Sequence, residues 1–237
     1  MKVTGQTSGW KKIVILAVIL ILPGFLYYLL EQKGENRYKN LPIFGEKVLT
    51  GTFSNRMGKQ IPDTLFHQIE PFSLVNQKGE LVDVLANDTS IAVVNFFYTR
   101  CASFCKHMND EMNRVAERFS GNHLVGFYTI TVDTAYDKPE VLREYAQAYD
   151  PASKKWHFLT AGRDDIFKIA RNGFLVDAVK DTAANGSFIH SSSLILVDSK
   201  RRIRGYYDVN HPKEVDRLID EVKLLLVQEI RERSPYK

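Results

Sequence analysis

The sequence predicts an α/β fold, a mixed sheet flanked by helices, preceded by one N-terminal transmembrane helix. Three observations predict it. Residues 13–30 form an uncharged apolar run, residues 91–98 and 124–132 are nearly continuous apolar stretches, and helical periodicity falls between and after them.

A chain of 237 residues fits one domain plus an anchor. Apolar residues make up 44% and charged residues 25%, the balance of an ordered globular chain. A core of that size needs no disulfide staple, so the only two cysteines, Cys101 and Cys105, require another explanation. The net charge of +4 comes mostly from Lys2, Lys11 and Lys12, because residues 1–30 contain no acid. The nearly neutral remainder lacks the clustered basic face that nucleic-acid binding requires.

Residues 13–30, IVILAVILILPGFLYYLL, approach the roughly 20 residues that cross a bilayer as a helix. Tyr27 and Tyr28 lie at the far end, where aromatic rings favour the membrane interface. Pro23 is tolerated within a membrane helix. A cleaved signal peptide has a shorter apolar region and a small-residue cleavage site, and the Tyr-Tyr-Leu-Leu exit offers none. The expected division is a cytoplasmic N-terminus at 1–12, an anchor at 13–30, a polar tether at 31–60 and the folded domain at 61–237. Lys33, Arg37 and Lys39 balance the lysines before the span, so charge alone sets no orientation.

In the domain, residues 72–75 and 81–84 flank Asn76-Gln77-Lys78-Gly79 in a hairpin pattern. The run IAVVNFFY at 91–98 predicts a strand buried on both faces. Met108, Met112, Val115 and Phe119 give a helix over 108–119, and LVGFYTITV at 124–132 a second buried strand. Pro139 opens a helix through Tyr149, and residues 156–160 read as a short strand. A helix over 164–170 ends at Asn172-Gly173 in a C-cap pattern. A hairpin pairs 194–197 with 203–207, and the last helix begins near Pro212. Asn87-Asp-Thr89 and Asn185-Gly-Ser187 match glycosylation sequons, a short pattern of little weight.

Cys101 and Cys105 sit in FFYTRCASFCKHMND, where a buried strand gives way to a helix. A strand, a cysteine-bearing turn and a helix in an α/β setting form a thioredoxin-like layout. If the turn winds helically, a separation of four brings both sulfurs to one side. A helix N-terminus stabilises a thiolate, which is both the nucleophile of disulfide exchange and a ligand for soft metals. The three-residue loop suits sulfurs clasping an ion, with monovalent copper favoured and zinc accepted. Both chemistries remain open at this point.

The sequence resembles the SCO/SenC family of copper metallochaperones, which assist assembly of the dinuclear copper centre of cytochrome c oxidase. FFYTRCASFC carries the family's Cys-x-x-x-Cys, and TVDTAYDKPEVLREY resembles its Asp-x-x-x-Asp segment followed by a helix. FIHSSSLILVDSKRRIRGYY resembles the strand pair that begins at the metal-binding histidine. The resemblance runs from about residue 10 onward. It implies a thioredoxin-like domain outside the cytoplasm that holds copper, as Cu(I) or Cu(II), through Cys101, Cys105 and His190. It also implies that Asp133 lies near that site.

The family usually has proline after each cysteine and an aspartate in the loop, where this chain has Ala102, Ser103 and Lys106. Arg100 replaces the common histidine before the first cysteine. His107 lies two positions from Cys105 and so points to a different helix face. Met108 and Met112 have core spacing, and His67, His123, His157 and His211 have no sequence partners. Turn formation and helix capping explain Asp133 and Asp137 without catalysis.

The resemblance implies delivery of copper to an oxidase subunit bearing a copper site, with other copper chaperones or thiol reductases as further partners. The location implied is the cytoplasmic membrane, single-pass, with the domain on the periplasmic side, or the mitochondrial inner membrane in a eukaryote. The rival expectation is a tethered thiol–disulfide oxidoreductase using Cys101 and Cys105 as its redox pair. A copper or redox sensor would share the same site.

Overall fold

The structure, a computed structural model, describes residues 9–33, 41–56, 59–85, 91–101, 104–149, 155–161, 163–176, 178–180, 188–190 and 192–233. Both sequons, Ala102, Ser103 and the middle of the tether lie outside the described residues. The chain divides into two compact units, residues 1–39 and 40–237.

The first unit contains α1, Gly9–Lys33. Its large apolar side chains from Trp10 to Tyr28 are exposed on all sides, the pattern of a helix whose partner is lipid rather than a core. Its 25 residues span about 37 Å at 1.5 Å each, enough for a hydrocarbon layer of about 30 Å. The helix starts a turn earlier than the apolar run, because Lys11 and Lys12 are good helix formers. Among the described residues it alone is long and apolar enough to cross a membrane.

The second unit opens with a two-stranded ribbon, β1 Lys47–Arg56 and β2 Lys59–Phe66, which pair only with each other. The strands β3 Phe72–Asn76, β4 Leu81–Val84, β5 Ile91–Phe97, β6 Val125–Thr131 and β7 Trp156–Thr160 follow. After them come β8 Ala178–Lys180, β9 Phe188–His190, β10 Ser193–Val197 and β11 Ile203–Asp208. Seven of these form one sheet in the order β11-β10-β5-β6-β7-β3-β4. The central strands β5, β6 and β7 run parallel, and the flanking pairs are antiparallel.

Helices α2 Cys105–Arg118 and α3 Pro139–Ala146 link the parallel strands, as parallel pairing requires. Along β5, Ile91, Val93 and Phe97 pack with Met108, Leu142 and Leu218 on one face. Ala92, Val94 and Phe96 pack with Ile166 and Phe174 on the other. α5, Pro212–Arg233, covers the first face, and α4, Arg163–Lys168, the second. The unbroken apolar run in β5 thus reflects burial on both sides.

One local expectation gives way. Gly173 does not cap α4 in the left-handed conformation. The helix widens instead into a π-turn over Ile169–Gly173, closed by Phe174 N–H donating to Ile169 O at 3.0 Å. Leu175 takes the left-handed conformation, with φ of 56°. The wider turn accompanies full burial of the Phe174 ring among Phe72 and Phe96.

The lead-in to the domain is held by a buried arginine. Arg204 donates to Leu41 O at 2.7 Å, Pro42 O at 3.0 Å and the Asp198 carboxylate at 3.0 Å. Phe44 N–H adds a bond to Ile203 O at 2.9 Å.

Candidate functional site

The site forms where β5 runs out of sheet. Beyond Phe97 the chain turns, with Cys101 N–H donating to Tyr98 O at 3.3 Å, and re-enters regular structure at Cys105, the first residue of α2. Phe104 precedes the helix, provides no side-chain cap, and no acid occupies the first turn. The positive end of the helix therefore points at the cysteine turn with no acid in its own first turn.

Cys101 is half-buried and Cys105 buried, and the two are not joined in a disulfide. Their side chains are hydrogen-bonded to one another. Burial pushes the Cys105 thiol well up, the bond with Cys101 pushes the same way, and a backbone bond at Tyr98 opposes them. Burial thus opposes the thiolate that a helix end favours. Cys105 is thus a protonated inner sulfur beside an outer one that solvent reaches.

The helix carrying Cys105 is fixed from below. Met108, Met112 and Val115 are fully buried, as their spacing predicts. Asn95 of β5 donates to Asn109 Oδ1 at 2.9 Å, and Asn109 donates to the Tyr145 hydroxyl at 3.1 Å. Strand, helix and α3 are therefore locked in one polar chain directly beneath the turn.

Two carboxylates from the loop after β6 hold the residues before Cys101. Asp137 is fully buried and accepts from the Thr99 amide at 3.0 Å, the Thr99 hydroxyl and the Thr131 hydroxyl at 2.5 Å. Burial raises its pKa, and the bonds from Thr131 and Thr99 oppose that rise. Asp133, also buried, pairs with Arg100 Nη2 at 2.5 Å, and the guanidinium stacks 4.1 Å over the Tyr136 ring. Asp137 is not a helix cap: Lys138 occupies the N-cap of α3, and the Asp137 side chain turns inward. Parallel pairing sets Phe97 beside Thr131, which brings the two loops together.

Sequence reasoning missed Thr99, Thr131 and Tyr136. The available signal was two short polar residues at the C-terminal ends of adjacent parallel strands, the usual address of functional loops in α/β sheets.

His190 is the last residue of β9 and pairs with Ala178 of β8. Three residues later begins β10, which runs antiparallel to β5 with Ile195 opposite Val94. The start of β10 therefore lies beside the end of β5 that leads to Cys101. Among the described residues, no three His, Cys, Asp or Glu side chains gather as a metal cluster. The described sulfurs nonetheless form a soft donor pair at a helix N-terminus, a chemistry suited to Cu(I).

Four of the five remaining histidines have side-chain partners. His107 bonds Val209 O at 3.0 Å and His67 bonds Gly173 O at 2.7 Å. His157 stacks on Tyr128, and burial lowers its pKa. His211 lies 3.9 Å from Asp208.

Parallel strands linked by helices, with paired thiols on the turn after the central strand, define a thioredoxin-like thiol protein. A family model described as SCO1/SenC matches residues 62–226. The chain belongs to the SCO1/SenC family. It is 28% identical over 168 residues to the SCO1 protein homolog of Bacillus subtilis, covering 70% of this chain and 86% of that one. It is similar to the solved structure of BsSco, a Sco-family cytochrome c oxidase assembly protein with a disulfide switch. That match has a TM-score of 0.58 and 27% identity, and covers 68% of this chain and 94% of the other. Copper-bound ScoI of Arabidopsis thaliana matches with a TM-score of 0.55 and 25% identity, covering 69% and 98%.

Proposed function

We propose that this chain is a membrane-anchored copper metallochaperone. α1 holds it in the membrane, and the domain stands outside the cytoplasm. Cys101, Cys105 and His190 bind Cu(I), and the ion passes to a cytochrome c oxidase subunit that builds a dinuclear copper centre. Asp133 keeps the turn in place through Arg100, one position from the first sulfur.

The observation that carries this reading is the placement of Cys101 and Cys105, whose side chains interact, on one turn that opens a helix. Two sulfurs held on one turn need only lose their protons to clasp a soft monovalent ion. Copper bound to a ScoI relative and the oxidase-assembly role of BsSco support the same reading. Oxidation to a Cys101–Cys105 disulfide removes both thiolates and so releases the ion, which links loading to redox state.

The test is an anaerobic Cu(I) titration of the full chain in detergent against a competing chelator. Wild type, Cys101→Ser and His190→Ala are compared. The expected result is a one-to-one complex in wild type, with affinity reduced at least about tenfold in each variant. Equal affinity in wild type and His190→Ala would remove the histidine from the site.

A second reading rests on the unequal burial of the two sulfurs. In a tethered oxidoreductase, Cys101 would attack a partner disulfide, releasing one partner thiolate and forming a mixed disulfide. Cys105 would then lose its proton and displace the second partner thiolate. Two electrons pass to the partner, and a thiol reductase must restore the dithiol. Here His190→Ala would leave exchange intact.

A further inference from the structure

We propose that Asn95 and Asn109 are positioning residues: by fixing where α2 sits along β5, they hold the Cys101 and Cys105 sulfurs within reach of each other and favour their disulfide. The inference rests on the reading of the two cysteines as a redox-linked pair.

The two sulfurs are placed by different elements. Cys101 follows Thr99 and Arg100, which Asp137 and Asp133 hold from the loop after β6. Cys105 belongs to α2, so its position depends on how that helix lies on the sheet. Asn109 is one turn further along α2 on the same face, and a helical side chain leans toward the N-terminus, here toward the turn of Cys105. Asn95 of β5 donates to Asn109 Oδ1 at 2.9 Å, and Asn109 donates to the Tyr145 hydroxyl at 3.1 Å. That hydroxyl lies within electrostatic range of the inner sulfur. Burial raises its pKa, the bonds with Asn109 and Tyr149 oppose the rise, and Cys105 adds to it.

Apolar packing holds α2 on the sheet without fixing its height. Met108 and Met112 adhere to the same face of β5, and methionine adapts to a small slide. An amide pair closes its bond in one register only, as a single buried asparagine fixes the register of a coiled coil.

Stability does not explain the pair. Both asparagines are fully buried, on a face of β5 that is otherwise apolar at Ile91, Val93 and Phe97. Asn95 Oδ1 is buried and, among the described residues, accepts no hydrogen bond. An unsatisfied buried oxygen is destabilising, and two leucines in these places would avoid that cost. What the amides add is placement.

Placement matters because a disulfide closes only when the two Cα atoms lie about 4.4–6.8 Å apart. A slide of α2 by the rise of one residue, about 1.5 Å, takes up more than half of that window. The two cysteine side chains interact as the helix now stands, so releasing the clamp lowers their effective concentration.

The affected step is exchange with a low-molecular-weight disulfide such as oxidised glutathione. Cys101 attacks it and one small thiol leaves. Cys105 then displaces the second as the Cys101–Cys105 bond forms. Two electrons pass to the small disulfide, and the two cysteine protons end on the thiols released.

The test equilibrates the full chain in detergent with glutathione buffers of graded ratio and reads free thiols by the mass that a maleimide adds. Cys101 and Cys105 are the only cysteines, so the readout belongs to this pair. In Asn95→Leu/Asn109→Leu the disulfide should be about tenfold less stable, about 30 mV in potential, as two lost hydrogen bonds allow. The urea midpoint should equal or exceed that of wild type. If the double variant does not fold, Tyr145→Phe carries the test, with a shift of roughly threefold for one hydroxyl. An unchanged equilibrium constant, or a disulfide made more stable, would overturn the inference. A shift accompanied by a lower urea midpoint would overturn it too, since general loosening would then account for the change. A wild-type chain that forms no Cys101–Cys105 disulfide at any ratio refutes the redox-linked reading and this inference with it. A wild type that titrates while the variant matches it refutes this inference alone.

Discussion

The Asp137 carboxylate receives both the backbone amide and the hydroxyl of Thr99, two positions before Cys101 and 38 residues away in the chain. The cysteine turn is therefore shaped by a buried acid on the neighbouring strand's loop, and its geometry should respond to that acid.

Removing the carboxylate should loosen the turn. Asp137→Ala leaves the Thr99 amide and two hydroxyls without their acceptor, the Thr131 hydroxyl among them fully buried. The expected loss is about 2–3 kcal/mol of unfolding free energy. Urea denaturation measures it, and an unchanged midpoint would show that the turn holds without Asp137.

The same residue should bend the pH dependence of stability. Burial raises the Asp137 pKa, with bonds from Thr131 and Thr99 opposing, so the folded chain holds this proton more tightly than the unfolded one. Its favourable contribution is complete below the ordinary carboxylate value of about 4 and fades as pH rises through the raised folded value. Asp137→Asn, which cannot ionise, should flatten the stability curve above pH ~4 relative to wild type. Thermal unfolding of both chains across that range decides it; parallel curves would contradict the assignment.

Copper loading should be strongly proton-linked. Burial keeps the Cys105 thiol protonated at neutral pH, so Cu(I) must displace that proton to bind the sulfur. Affinity should rise about tenfold per pH unit for each proton released. Chelator competition at several pH values reads the slope, and Cys105→Ser should lower it by the share of one proton. A pH-independent affinity in wild type would exclude thiolate ligation by Cys105.

Arg204 should matter more than a surface arginine. It is 2% exposed and joins the fully buried Asp198 to the carbonyls of Leu41 and Pro42. Arg204→Ala strands part of a buried carboxylate's environment and both carbonyls, at an expected cost of about 3–5 kcal/mol. Protease cleavage near residue 41 should accelerate together with the lowered urea midpoint. A shift in neither would show the lead-in to be held by Phe44 alone.

The residue pattern alone fixed the elements whose burial is written locally. The apolar run at 91–98 became β5, residues 156–160 became β7, and the Met108–Met112–Val115 stripe became the buried side of α2. The cysteine turn was legible because two sulfurs at a strand-to-helix junction combine a short spacing with a change of period. Tertiary structure alone decided that Thr99 meets Asp137, that Arg100 meets Asp133, and that Cys105 is buried deeply enough to hold its proton. The physical reason lies in what each kind of information encodes. Periodicity records which face of one segment avoids water, whereas contacts between distant residues depend on the parallel register of β5 and β6, which no single segment contains.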